Sequence, residues 1–245
     1  MNMPTSVLVM TIACAAFAAT MVGGIFAISL RDRLHLVLGF SAGAVIGVAF
    51  FDLMPEALET GTAVWGSRTI MLVCAAGFFA YTLLDRAVML HTAGEGENCH
   101  HHTRGWMGAG SFSAHSFLDG FAIGIAFQAS RAVGIVVAIA VLVHDFSDGL
   151  NTVNVVVRNG GDRRMALRWL WMDAVAPVIG AGVSLFIVLP GHAIALILAL
   201  FSGFFLYIGA SDLLPESHHA HPKFFTTIAT ICGAATLLFA TQVAG

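Results

Sequence analysis

Charge is what this chain has least of. Only 10% of its 245 residues are Asp, Glu, Lys or Arg, where a soluble domain devotes about a quarter of its residues to charge. Hydrophobic residues make up 58%, and the mean hydropathy is +0.87. So few charges cannot cover the outside of a water-soluble body, which leaves lipid as the solvent. The formal net charge is −3, and without a basic stripe there is no case for a nucleic-acid partner. The apolar N-terminal stretch lacks a basic n-region and runs too long for the h-region of a signal peptide, so it reads as a first span. Cys14, Cys74 and Cys232 fall inside apolar runs and suit small packing residues better than a disulfide framework. No P-loop, phosphorylated-aspartate motif or HExxH motif stands out, so neither a hydrolysable energy source nor a zincin-type protease is indicated.

Apolar runs are what the chain has in abundance. They fall at 5–30, 34–54, 69–90, 105–129, 131–157, 165–189, 191–213 and 223–244, separated by charged and turn residues. Each is close to the roughly 20 residues that cross the hydrocarbon, and backbone in lipid must satisfy its own hydrogen bonds, so all eight are expected to be helices. The expected fold is an all-α integral membrane protein, one transmembrane domain over 1–245, with no room for a soluble domain. Arg31, Arg33, Arg86, Arg104, Arg158, Arg163, Arg164, Arg168 and Lys223 fall on one side of such a map, and only Arg68 and Arg131 on the other. The positive-inside rule then places both termini outside. The 26 glycines suit close helix contacts, within one chain or across a homodimer.

Two pairs of segments repeat. Span two ends in Asp52-Leu53-Met54-Pro55-Glu56, and span seven in Asp212-Leu213-Leu214-Pro215-Glu216. Span four carries His115-Ser116-Phe117-Leu118-Asp119-Gly120, and span five His144-Asp145-Phe146-Ser147-Asp148-Gly149. Spans two and seven would run in opposite directions, as would four and five. That pattern fits an inverted repeat of three helices on either side of a central pair, which transporters commonly build around a mid-membrane site.

The second repeat holds the residues least at home in lipid. An ionisable side chain at mid-membrane costs at least ~2.5–3.5 kcal/mol on insertion scales. His115, Asp119, His144, Asp145 and Asp148 concentrate there. His115 and Asp119 are one helical turn apart and share a face, as do His144 and Asp148. If the faces meet, two imidazoles and two carboxylates surround one point, a donor set suited to Zn2+ and tolerable to Fe2+, Mn2+, Co2+ or Cd2+. Ser116 with Asp119 and Asp145 with Asp148 form an overlapping, oxygen-rich face that could hold a neighbouring position. Pairing for stability alone explains little, because interhelical polar contacts in membranes average about 0.6 kcal/mol. Asp173 on span six could reach the cluster as an outer ligand. Asn151 and Asn154 continue the His144/Asp148 stripe, and Asp52 and Asp212 could serve entry and exit at span ends. Cys99, His100, His101 and His102 in the cytoplasmic loop 91–104, and His218, His219 and His221 after span seven, read as metal-collecting tracts on the same side.

In this order the motifs resemble the ZIP family of divalent metal transporters, over nearly the whole chain. The carriers are HSFLDGFAIG in span four, HDFSDG in span five, GFSAGAVIGVAFFDLMPEAL in span two and SGFFLYIGASDLLPES in span seven. The resemblance implies eight spans in a 3+2+3 arrangement, a two-metal centre on spans four and five, and uptake toward the cytoplasm by an elevator-like movement. Three positions depart from the family pattern: Ser116 stands for asparagine, Ser147 for proline, and Ala176 for a glutamate before Pro177. They bear on the second metal position more than the first, where Asp173 could replace the missing glutamate.

The expected function is therefore transport of Zn2+ or a related divalent ion, with the metal as substrate and no catalytic cofactor. The alternatives weighed are an intramembrane zinc-dependent hydrolase and a metal sensor or store. A hydrolase needs a firmly held metal with an open water position, usually three protein ligands and a general base. Two overlapping carboxylate-rich positions instead help an ion to leave as well as enter.

Overall fold

A computed structural model describes residues 4–26, 34–93, 100–219 and 224–244. Among them every regular element is helical: α1 (Thr5–Phe26), α2 (Leu34–Val48), α3 (Met54–Trp65), α4 (Ser67–Ala93), α5 (His100–Ala129), α6 (Arg131–Arg158), α7 (Arg163–Ser184), α8 (Gly191–Tyr207), α9 (Leu214–His219) and α10 (Phe224–Ala244). Seven stretches of described helix are long and apolar enough to cross a membrane, which makes this a multi-pass membrane protein. α5 is not among the seven. It has 30 residues, ample length, but His115, Ser116, Asp119 and several glycines and serines dilute its hydropathy.

Span ends follow local chemistry. A single residue, Ser130, separates α5 from α6, and its hydroxyl accepts from the Val133 N–H as an N-cap. Asp162 caps α7 in the same way through Met165 N. Gly66, at φ 75°, ends α3 while its N–H returns to Thr62 O. α4 runs to Ala93 and α5 starts at His100, so the interval between them is narrower than the 91–104 loop expected from sequence.

Spans two and seven differ most from expectation. The chain does not leave the helix at Pro-Glu. A π-helical turn, Ala49–Leu53, joins α2 to α3, and a second, Ile208–Leu213, joins α8 to α9. Pro55 and Pro215 follow these turns. A proline has no N–H to give, and its ring collides with the carbonyl four residues back. Widening the preceding turn relieves the collision while keeping the chain helical: Met54 N–H reaches Ala49 O, and Leu214 N–H reaches Gly209 O, five residues back.

Helix pairing is set by glycines that let backbones touch. A Cβ on Gly23 would overlap the Phe146 carbonyl, and one on Gly149 the Thr20 carbonyl, so α1 and α6 notch into each other. The same reciprocal notching joins α5 to α7 (Gly120, Gly180), α2 to α10 (Gly43, Gly233) and α4 to α8 (Gly77, Gly203). The helices thus sort by contact into α1, α5, α6 and α7 on one hand, and α2, α3, α4, α8 and α10 on the other. They meet along α2–α6, α10–α6, α5–α8 and α4–α5.

The link between α7 and α8 is held by one side chain. Gln128 Nε2 donates to Ser184 O (3.3 Å) and Ile187 O (2.7 Å), while Leu189 N–H donates to Gln128 Oε1 (3.2 Å). Gln128→Leu should therefore lower stability by about 1–3 kcal/mol, read as a lower unfolding midpoint in detergent. An unchanged midpoint would show that water replaces the amide there.

Candidate metal centre

α5 and α6 lie side by side, and the two faces anticipated from helical spacing meet. One atom from each of His115, Asp119, His144 and Asp148 lies within 4.8 Å of the others, and all four residues are buried. His115 Nε2 stands 3.2 Å from Asp119 Oδ2 and 3.5 Å from Asp148 Oδ2. His144 Nε2 stands 3.3 and 3.8 Å from the same two oxygens. Both imidazoles therefore face one pair of carboxylate oxygens. Donors held at about 2.0–2.2 Å around a tetrahedral zinc ion would stand about 3.3–3.6 Å apart. The cage has close to that size.

The tautomer of His144 follows from its other contact. His144 Nδ1 lies 2.9 Å from Ala140 O, and a carbonyl can only accept, so Nδ1 carries the hydrogen. The Nε2 of a neutral ring then offers a lone pair toward Asp119 Oδ2, itself an acceptor. Two lone pairs facing each other in a buried site need a metal ion or a proton between them. The backbone carbonyl that fixes the ring is the usual device for orienting a metal-ligating histidine.

Asp145 and Asp173 extend the negative charge. Both Asp145 oxygens are buried without a hydrogen-bond partner. Asp173, expected as an outer ligand, is fully buried. Its Oδ1 accepts from Ser116 (2.7 Å) and its Oδ2 from Thr152 (2.8 Å). Ser116 thus turns its hydrogen toward Asp173. Thr152 was missed from sequence, although it continues the His144/Asp148 stripe by one more turn, because a threonine in an apolar helix attracts no notice. The ring of Tyr81 meets His115 edge-on at 6.1 Å. Beside it a narrow void, too tight to hold a water molecule, is lined by Tyr81, His115, Asp119, Leu118, Phe201 and Phe204, among others.

Asn151 and Asn154 are half-buried along α6. Asp52 sits in the first π turn with Oδ2 buried and without a hydrogen-bond partner. Asp212 sits in the second π turn, and His218 and His219 in α9; the side chains of these three are outside the described set, as are those of His100, His101 and His102 at the start of α5. Cys99 and His221 lie outside the described residues.

A many-spanned helical protein with a buried cage of two histidines and two aspartates belongs to the class of membrane proteins that handle cations. Comparison with known proteins narrows the class. The family described as ZIP Zinc transporter matches residues 89–241, and the chain belongs to that family, whose members are transporters rather than enzymes. It is 29% identical to the zinc transporter ZupT of Corynebacterium efficiens, over 81% of this chain and 83% of that protein. It is 25% identical to the zinc transporter ZIP13 of Pongo abelii, over 75% of this chain and 58% of that protein. A shorter stretch, 46% of this chain and 23% of the relative, is 34% identical to the metal cation symporter ZIP14 of Danio rerio.

Proposed function

We propose that this protein moves Zn2+ across a bacterial inner membrane toward the cytoplasm, with Fe2+, Mn2+, Co2+ and Cd2+ as further candidate cargo. The observation that carries the reading is the cage itself: two imidazole nitrogens and two carboxylate oxygens, buried among apolar helices and turned toward one point. His115, Asp119, His144 and Asp148 hold the ion in transit. Asp145, with two unpartnered oxygens, and Ser116 form the neighbouring position, and Asp173 steadies it. Two adjoining positions let an arriving ion weaken the hold on the one before it. Asn151 and Asn154 continue the path along α6. Asp52 and Asp212, in matching π turns, serve its ends, and the histidines at 100–102 and 218–221, with Cys99, receive the ion on the cytoplasmic side.

The architecture proposed with this function has eight spans, α5 counted as the fourth, in a 3+2+3 inverted repeat with both termini outside. The glycine notches support it. The repeat exchanges span one with six, two with seven, three with eight and four with five. It therefore carries the α1–α6 pair onto α7–α5, and the α2–α10 pair onto α8–α4, and all four pairs are the reciprocally notched ones. The matching π turns support it too. The split of Lys and Arg between the two sides favours the orientation. The hydrolase reading loses its ground with family membership.

Proteoliposomes loaded with a zinc-sensitive dye test the function. Saturable Zn2+ and Cd2+ entry that collapses in His144→Ala and Asp148→Ala is expected. Metal bound by the purified protein without any entry would overturn transport in favour of a sensor or store.

A further inference from the structure

One buried polar contact joins the metal-bearing helix to a helix that supplies no ligand. Ser41 on α2 places its Oγ 3.2 Å from Val143 O and 2.9 Å from Ser147 Oγ, both on α6. Ser41 and Ser147 are each fully buried. A serine has one hydrogen to give. The Val143 carbonyl can only accept, so Ser41 donates to it, and Ser147 must then donate to Ser41. The result is a closed relay across one turn of α6, 143 to 147. His144 and Asp145 ride on that turn, and Asp148 follows it directly.

The repeat shows that packing does not require these hydroxyls. Laying Asp52 on Asp212 puts Gly43 on Gly203 and Ser41 on Phe201. Laying His115 on His144 puts Leu118 on Ser147. The equivalent seam, between α8 and α5, is thus served by Phe201 and Leu118, which line the narrow void beside the cage. An apolar pair is enough to fill that seam. At the α2–α6 seam two hydroxyls have been placed in a lipid-embedded interior, one of them next to Asp148, and they satisfy each other and the backbone.

We propose that Ser41 is a positioning residue for the metal centre: through Val143 O and Ser147 it fixes the rotation of the α6 turn that presents His144 and Asp148, and so sets the affinity for the ion in transit. The inference deepens the transport reading and rests on it for its kinetic arm. Sequence gave no local sign of it, because Ser41 lies about a hundred residues from its partners among small apolar neighbours.

The test compares Ser41→Ala, Ser147→Ala, the double variant and Ser202→Ala. Ser202 is another fully buried interhelical hydroxyl; it donates to Ala49 O at 3.2 Å, joining α8 to the first π turn rather than to α6, and so reports a merely structural loss. Zinc affinity of each purified protein is measured by titration in detergent, and KM and maximal rate of Zn2+ entry are measured in proteoliposomes. Ser41→Ala and Ser147→Ala should each weaken zinc affinity and raise KM about fivefold, the loss of one hydrogen bond, with the maximal rate within about twofold. The double variant should be no worse than the poorer single one, since either change breaks the same relay. Ser202→Ala should keep wild-type affinity. Wild-type affinity in Ser41→Ala, additive losses in the double variant, or an equal loss in Ser202→Ala would each overturn the proposal. If wild type shows no zinc entry, the transport reading fails by itself. The titration still decides whether Ser41 positions the ligands.

Discussion

Asp119→Asn should cut zinc entry by at least about a hundredfold, because even outer-shell partners of metal ligands cost 10- to 100-fold when lost. Asp119 is the most shared of the four cage residues. Its Oδ2 is the nearest carboxylate oxygen to both imidazoles, at 3.2 Å from His115 and 3.3 Å from His144. An amide in the same volume keeps the shape but removes a formal charge. If its NH2 turned inward, it would present hydrogens where the ion needs a lone pair. Asp148, at 3.5 and 3.8 Å, cannot replace it alone without moving. The measurement is initial Zn2+ entry into proteoliposomes, with metal content of the purified protein followed in parallel. Entry at more than a tenth of the wild-type rate would mean that the ion passes without Asp119, and would remove the cage from the path.

Gly149→Leu should prevent α1 and α6 from docking, and with them the metal centre from forming. Even a Cβ at this position would overlap the Thr20 carbonyl, and Gly24 N lies at the same contact. A flexible side chain could step aside; backbone cannot. Overpacking in a close-packed interior costs typically 1–3 kcal/mol and occasionally more. Here the whole helix must retreat, so the expected result is protein that elutes as aggregate in detergent and shows no zinc entry. Gly182→Ala is the matched control. A Cβ there meets nothing within 4 Å, and alanine favours the helix by up to about 1 kcal/mol over glycine. It should leave entry unchanged and stability equal or raised. Monodisperse, active Gly149→Leu protein would show that the α1–α6 notch is not what holds the ligand helix in place.

Much of the site could be read from the chain because it is organised along single helices. His115 with Asp119, and His144 with Asp148, are one turn apart, and helical periodicity alone puts each pair on one face. What spacing could not supply was the direction of Ser116 and Asp173. Both were candidates for the metal position, yet the carboxylate takes its hydrogen bonds from Ser116 and Thr152. That choice depends on how α7 is rotated against α5 and α6. The π turns were likewise invisible as such. Pro55 and Pro215 read as span ends, but a helix can also absorb a proline by widening one turn.

The sequence by itself determined the solvent, the approximate position of the apolar spans, the family and the residue types of the cage. Each of these follows from composition, run length, periodicity or motif order, which are properties of the chain taken one segment at a time. The tertiary structure decided which faces meet: α1 against α6 through Gly23 and Gly149, α5 against α7 through Gly120 and Gly180, and Ser41 of α2 against the turn of α6 that carries His144. The physical reason is that hydropathy commits a segment to lipid without favouring one apolar neighbour over another. Close backbone approach and buried hydrogen bonds between distant segments make that selection, and neither can be evaluated until the helices are brought together.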